Sequence, residues 1–135
     1  MNRVVTIIIF VLASALGLFF IYKGINKHFL SPCKVYAPDS TLPEDYRAVI
    51  SALCNSGFTT MVGFFQVLSG LLLIIPRTRL FGAIILLPII ANIFFMHFFM
   101  DNRPEELVET GIPFLITLLI IGFHYKKWMP IFGKN

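Results

Sequence analysis

Charge is scarce in this chain of 135 residues. Asp, Glu, Lys and Arg together make up 13% of it, against 57% hydrophobic types, and the mean hydropathy is +0.83. A water-soluble domain of this size cannot bury so large an apolar share, so an ordinary soluble fold is excluded and lipid becomes the main solvent. Cysteine is limited to Cys33 and Cys54, which lack the C-x-x-C spacing of a redox pair. Histidine is limited to His28, His97 and His124, with neither H-x-x-x-H nor E-x-x-H spacing, so no metal ligand set is expected. Internal repeats, low-complexity segments and a Gly-rich phosphate loop are missing, and no nucleophile has a base beside it in sequence. No catalytic residue is therefore assigned. The net charge of +4 comes from Lys and Arg scattered singly or in pairs beside apolar runs, without the basic stripe that nucleic acid requires. They read as topology signals.

What is abundant is apolar length. A hydrocarbon core of about 30 Å needs roughly 18 to 20 apolar residues of helix, and four stretches reach this: 4–22, 57–75, 80–100 and 107–125. Residues 76–79 and 101–106 are the links between the last three, and links this short force antiparallel neighbours. The fold class expected is an all-α integral membrane protein: one domain over 1–135, with four transmembrane helices in an antiparallel bundle and a short extracytoplasmic amphipathic helix. The first stretch has some marks of a signal peptide, with Arg3 ahead of the apolar run and Ala13-Ser14-Ala15 as a small-x-small site. Its continuation to Tyr22 favours an uncleaved span, in which Ala13 and Gly17 form a close-packing pair.

Sorting the charges orients the chain. Arg3, Arg77, Arg79, Lys126, Lys127 and Lys134 fall at one end with no acid, while every Asp and Glu falls at the other together with Lys23, Lys27, Lys34, Arg47 and Arg103. Arg77 and Arg79 in the tight turn weigh most, and both termini are placed in the cytoplasm.

The long connection 23–56 has order of its own. Thr41 and Glu44 have capping-box spacing with Pro43 in the first turn, so a helix is expected to about Leu53. Its stripe of Tyr46, Val49, Ile50 and Leu53 faces the membrane, with Glu44, Asp45 and Arg47 in water. Cys33 and Cys54 both fall in this connection, on the side that is oxidising if the orientation holds. A bridge would close a loop of about 20 residues, worth about 3 kcal/mol in loop-entropy terms; two free thiols are the alternative.

Polar groups inside spans need a partner or a purpose. Thr59, Gly63, Gln66 and Gly70 share one helical face that should point into the bundle. Gln66 and Asn92 come out near mid-depth, while Lys23, Lys27, His97 and Glu109 come out near the outer surface. Lys27, Gln66, Asn92, His97 and Glu109 are the candidate ligand-binding residues. Against this stands a purely structural account: lysines snorkel, Gln66 and Asn92 tie helices together, and His97 and Glu109 are solvated by headgroups.

Several motifs resemble one family. Gly17 to Lys27 is similar to the G-x6-G-x2-K signature of the DoxX-like membrane proteins. Gly63-Phe-Phe-Gln66-Val-Leu-Ser-Gly70, followed by Arg77 and Arg79, resembles that family's E-x-x-x-G-x-x-L-L-x-G-x-x-x-R pattern. Ala91 to His97 resembles its A-x(5)-H ending, and Glu109 opens the last span more loosely. Gln66 stands where the family commonly has glutamate, which keeps hydrogen bonding but cannot titrate. The resemblance implies a bacterial inner-membrane protein linked to quinone-coupled sulfur oxidation and membrane oxidoreductase complexes. The first expectation is a non-catalytic subunit or anchor whose partners are the bilayer and either oxidoreductase subunits or further copies of itself in a homo-oligomer. The second is a quinone- or lipid-linked redox protein with an outer-leaflet headgroup pocket. A small transporter ranks below both, because no inverted repeat or pair of broken helices is visible, and isolated Pro88 and Pro113 are tolerated in spans.

Overall fold

The computed structural model describes residues 2–133, and every regular element among them is helical. Helix α1 (Arg3–Ile25) runs into a π-helical turn (Asn26–Leu30), and α2 (Glu44–Asn55) lies within the long connection. Then come α3 (Phe58–Ile74), α4 (Arg79–Met96) with a second π-helical turn (His97–Asp101), α5 (Pro104–Phe123) and a short α6 (Tyr125–Phe132). By length and composition α1, α4 with its π turn, and α5 can each cross a membrane, and α2 with α3 forms a fourth such stretch bent by 78° at the junction. Gly57, at φ +83° in the left-handed region, makes that bend with no side chain to strain it.

Helix α1 packs along α3, α3 on α4 and α4 on α5, while α5 returns to α1 along a looser seam. The core is Ala13, Leu16 and Phe20 of α1, Leu73 of α3, Ala83, Leu86 and Ile90 of α4, and Ile120 of α5. Lipid tails are as apolar as these side chains, so close backbone approach has to supply much of the association. Glycine makes it feasible. A Cβ on Gly17 would stand 2.6 Å from the Gly70 carbonyl oxygen, and one on Gly24 would stand 2.9 Å from that of Gly63. These pairings run in opposite order along the two helices, so α1 and α3 are antiparallel. Gly63, Gln66 and Gly70 are buried on the face that the sequence pointed inward. The buried hydroxyls of Ser69, Thr110 and Thr117 donate to carbonyls one turn back on their own helices, at Phe65, Glu106 and Pro113.

Three local expectations are corrected. The capping box does not form: Pro43 is extended at ψ 142° and is itself the N-cap position, which leaves Thr41 outside the helix start. Instead the Ser40 hydroxyl accepts from the Leu42 amide, and Arg47 Nε donates to the Leu42 carbonyl. The last long helix begins at Pro104, three residues earlier than expected, so Glu105 and Glu106 sit in its first turn against the positive end of the helix dipole. It also ends sooner, at Phe123, where His124 Nδ1 hydrogen-bonds the Ile120 carbonyl (2.8 Å) and α6 follows. Lys134, counted in the orientation argument, lies outside the described residues.

Cys33 and Cys54 are paired in a disulfide with Cα atoms 5.7 Å apart, fastening the segment after α1 to the C-terminal turn of α2. The native protein should therefore resist a membrane-impermeant maleimide until it is reduced; labelling without reductant contradicts the pairing. The glycine seam yields a second prediction. Gly70→Val should lower unfolding free energy in mixed micelles by about 2 kcal/mol or more, since a side chain there meets rigid backbone. Gly122→Ala, where nothing lies within 4 Å, should leave it unchanged.

Candidate functional site

The end of α1, the end of α4 and the start of α5 meet on the side of α2, and Asp101, Glu106 and Glu109 gather there. Helical spacing does the first part of the work. Lys23 and Lys27 lie one turn apart where α1 passes into its π turn, and Glu106 and Glu109 lie one turn apart at the start of α5. Lys23 Nζ pairs with Glu109 Oε1 across the α1–α5 seam, with the two side chains 34% and 45% exposed. The pair closes the loosest seam of the bundle at its polar end. Such partly solvated pairs contribute on the order of 1 kcal/mol or less in water.

A cleft of about 280 Å³ opens beside this pair, lined by Tyr22, Lys23, Asn26, Lys27, Ser31, Glu106 and Glu109. Asn26 Nδ2 donates to the Tyr22 hydroxyl and the Ser31 hydroxyl donates to the Asn26 carbonyl, which fixes one wall. Lys27 reaches the open rim of the cleft. The mass of protein around it pushes its ammonium pKa down, with the negative field of Glu106 opposing. No carboxylate lies within ion-pair distance of it among the described residues.

Behind Glu106 the network goes underground. His97 is 3% exposed and the Asp101 carboxylate is fully buried. The π-helical turn His97–Asp101 places the two side chains together: His97 Nδ1 lies 3.0 and 3.1 Å from the Asp101 oxygens. The turn ends at Asn102, which adopts φ 48° and donates its amide to the His97 carbonyl. An ionised carboxylate only accepts, so Asp101 requires the proton on Nδ1 and leaves Nε2 directed toward Glu106 Oε2 at 3.6 Å. Arg103 Nε donates to Asp101 Oδ2 at 2.6 Å, and its Nη1 stands 3.8 Å from Glu106 Oε1. Tyr46 of α2 covers the group: its hydroxyl accepts from Arg103 Nη2 at 3.3 Å, and its ring lies 5.5 Å from the guanidinium and 5.6 Å from the His97 ring. Burial raises the Tyr46 phenol pKa, with the Arg103 charge opposing. Chemically, the arrangement can hold a polar group in the cleft and exchange a proton with it through Glu106 and His97.

Of the five residues expected to bind a ligand, Lys27 and Glu109 line the cleft, and His97 is joined to it through Glu106. Gln66, expected near mid-depth, does not line the cleft. It is buried against Gly24, the residue after Lys23, in the α1–α3 seam below the cleft, and its Oε1 has no hydrogen-bond partner among the described residues. Asn92 does not join the site: it is exposed on the outside of α4 and donates Nδ2 to the carbonyl of Pro88 one turn back. Sequence reasoning missed Asp101, Arg103 and Glu106 by assigning 101–106 to a link, and took Tyr46 for a membrane-facing stripe. The usable signal was the i, i+4 spacing of His97 and Asp101 and the i, i+3 spacing of Glu106 and Glu109. A larger, more open depression of about 400 Å³ lies by the disulfide between Lys34, Tyr36, Glu44 and Arg47, away from this network.

The buried carboxylate carries the prediction. Asp101→Ala should destabilise the protein by about 3 kcal/mol in a detergent unfolding titration, because it leaves His97 and Arg103 without their shared acceptor. A loss below about 0.5 kcal/mol would show that the network is solvated.

The chain is 33% identical over 78 residues, 58% of its length, to the uncharacterized protein YwoB of Bacillus subtilis (strain 168), and the match spans about half of that relative. No family model matches the chain, and no solved structure matches it.

Proposed function

We propose that the protein is a four-span antiparallel bundle of the bacterial inner membrane, with both termini cytoplasmic, whose outer end binds the polar headgroup of a membrane amphiphile. A quinone or a lipid headgroup is the class that fits the second expectation of a DoxX-like role, that of a quinone- or lipid-linked redox protein. The short turns on either side of α4, the basic residues at one end and the disulfide at the other support the orientation. The observation that carries the functional reading is the position of Glu106. One carboxylate serves both the cleft that opens at the looser α1–α5 seam and the buried His97–Asp101 pair.

In this reading the apolar tail lies along the seam and the headgroup enters the cleft. The unpaired Lys27 ammonium donates to a headgroup oxygen. Glu106 accepts from a headgroup hydroxyl, and His97, oriented by Asp101, takes up or returns the proton at Nε2. Lys23 and Glu109 hold the two helices at the spacing the headgroup needs.

A second reading is a non-catalytic subunit that anchors a membrane oxidoreductase. It is favoured by the aromatic ridge on the outer half of α4 and its π turn, where Phe99 stacks on Phe95 and meets Phe98 edge-on, and Phe95, Phe98 and Phe99 stay 45%, 49% and 76% exposed. The two readings combine if the bundle presents a headgroup to a partner on that ridge.

A photoreactive isoprenoid naphthoquinone, added to the purified full chain in detergent, separates them. Labelling should fall on segments 22–31 and 104–109, and should drop about tenfold in a Lys27→Gln, Glu106→Gln double variant that unfolds at the same temperature as the native protein. Labelling unaffected by the double substitution, or spread evenly over the lipid-facing helices, would falsify the headgroup reading.

A further inference from the structure

The opposite end of the bundle holds a buried cation with no counter-ion among the described residues. Arg79 is the first residue of α4 and is 6% exposed. Its Nε donates to the Leu73 carbonyl at 3.1 Å, and its guanidinium carbon lies 5.2 Å from the centroid of the Phe10 ring on α1. Its Nη2 is buried with no acceptor among the described residues.

Two ordinary explanations cover only part of this. A lysine or arginine at a span end commonly snorkels into water, but here Arg79 is 6% exposed as a whole and its Nη2 is buried. Arg79 also caps the C-terminus of α3, yet that duty occupies Nε alone. The neighbouring free carbonyls are already taken, Leu72 by the Thr78 hydroxyl and Ile75 by the Thr78 amide and hydroxyl. Nor can a side-chain carboxylate of this chain neutralise the charge. Every Asp and Glu lies in 39–45 or 101–109, at the far end of the apolar layer. A buried guanidinium left unpaired is strongly unfavourable, and no anion among the described residues relieves it.

We infer that Arg79 is a binding site for a phosphate group, supplied by a phospholipid in the leaflet at that end of the bundle. This inference rests on the membrane reading and not on the outer cleft. A guanidinium fork matches two phosphate oxygens, which satisfies Nη2 and the charge together. The depth is right, because the α3–α4 turn and the end of α5, with exposed Arg77, Lys126 and Lys127, meet the headgroup layer there. The way in is from lipid: Phe10, which lies over the guanidinium, is itself 49% exposed on the outside of α1.

Thermal unfolding of the purified full chain in detergent tests this with three probes: phosphatidylglycerol, diacylglycerol with the same acyl chains, and inorganic phosphate. Phosphatidylglycerol should raise the unfolding temperature by several degrees in the native protein and equally in Arg77→Gln, whose side chain is exposed. The rise should vanish in Arg79→Gln and shrink in Arg79→Lys, which keeps the charge but loses the fork. Diacylglycerol and inorganic phosphate should give no rise. An equal response in Arg79→Gln, or an equal response to diacylglycerol, overturns the site. A response to millimolar inorganic phosphate that phosphatidylglycerol does not match overturns the lipid as its source. If Arg79→Gln does not fold, native mass spectrometry decides: the native protein should retain a phospholipid at a detergent concentration that strips it from Arg79→Lys, and equal retention in both contradicts the inference.

Discussion

Ionised groups cannot be left bare in a hydrocarbon layer, and that constraint sets out almost everything in this molecule. Long apolar helices push charge to their ends, and sequence order then decides which charges share an end. All acids fall on one side, where they meet Lys23, Lys27, Arg103 and His97. The other side receives only bases. The first end can therefore neutralise itself by pairing, and it does so with a buried carboxylate at its centre. The second cannot, and Arg79 is the residue that exposes the deficit.

Helix packing turns this sorting into geometry. The glycine contacts between α1 and α3 bring the backbones together and fix how far α1 projects at the carboxylate-bearing end, which sets the level of Lys23 and Lys27. Both helices that reach the network from below finish in a π-helical turn, Asn26–Leu30 and His97–Asp101. Such turns rotate the side chains that follow relative to a regular helix and recur at functional sites. Here the second one places Asp101 under the His97 ring. The α1–α5 seam, looser than its neighbours, is held at its polar end by Lys23 and Glu109, so the cleft lies where two helices have room to part.

The helical spans and the cysteine pair were legible in the sequence because each rests on a one-dimensional signal: apolar length, link length, or placement of both cysteines in one connection. Lys27, His97 and Glu109 were grouped correctly at one end because depth along a straight helix is a count of residues. Depth along one helix could not supply the neighbour of Gln66, Gly24, which depends on the register between α1 and α3. Asn92 failed because depth says nothing about facing, and its amide bonds its own helix at Pro88 instead of the interior. Glu106 and Asp101 were hidden by a boundary error of a few residues. The helix starts at Pro104, and a carboxylate assigned to a link cannot be placed on a face. The buried Arg79 looked like any cytoplasmic basic residue, because burial is a property of how the turn folds back on α3.

In the proposed orientation the carboxylate-bearing end, with its cleft and buried histidine, faces outward, and the basic turn with Arg79 faces the cytoplasm. Single-cysteine labelling in intact cells tests it most directly, with both native cysteines replaced by serine and either Tyr36→Cys or Arg77→Cys introduced. An impermeant maleimide should label the cysteine at position 36 in intact cells and the one at position 77 only after permeabilisation. Labelling at 77 in intact cells, with 36 protected, would place the site on the cytoplasmic face and contradict the proposed orientation.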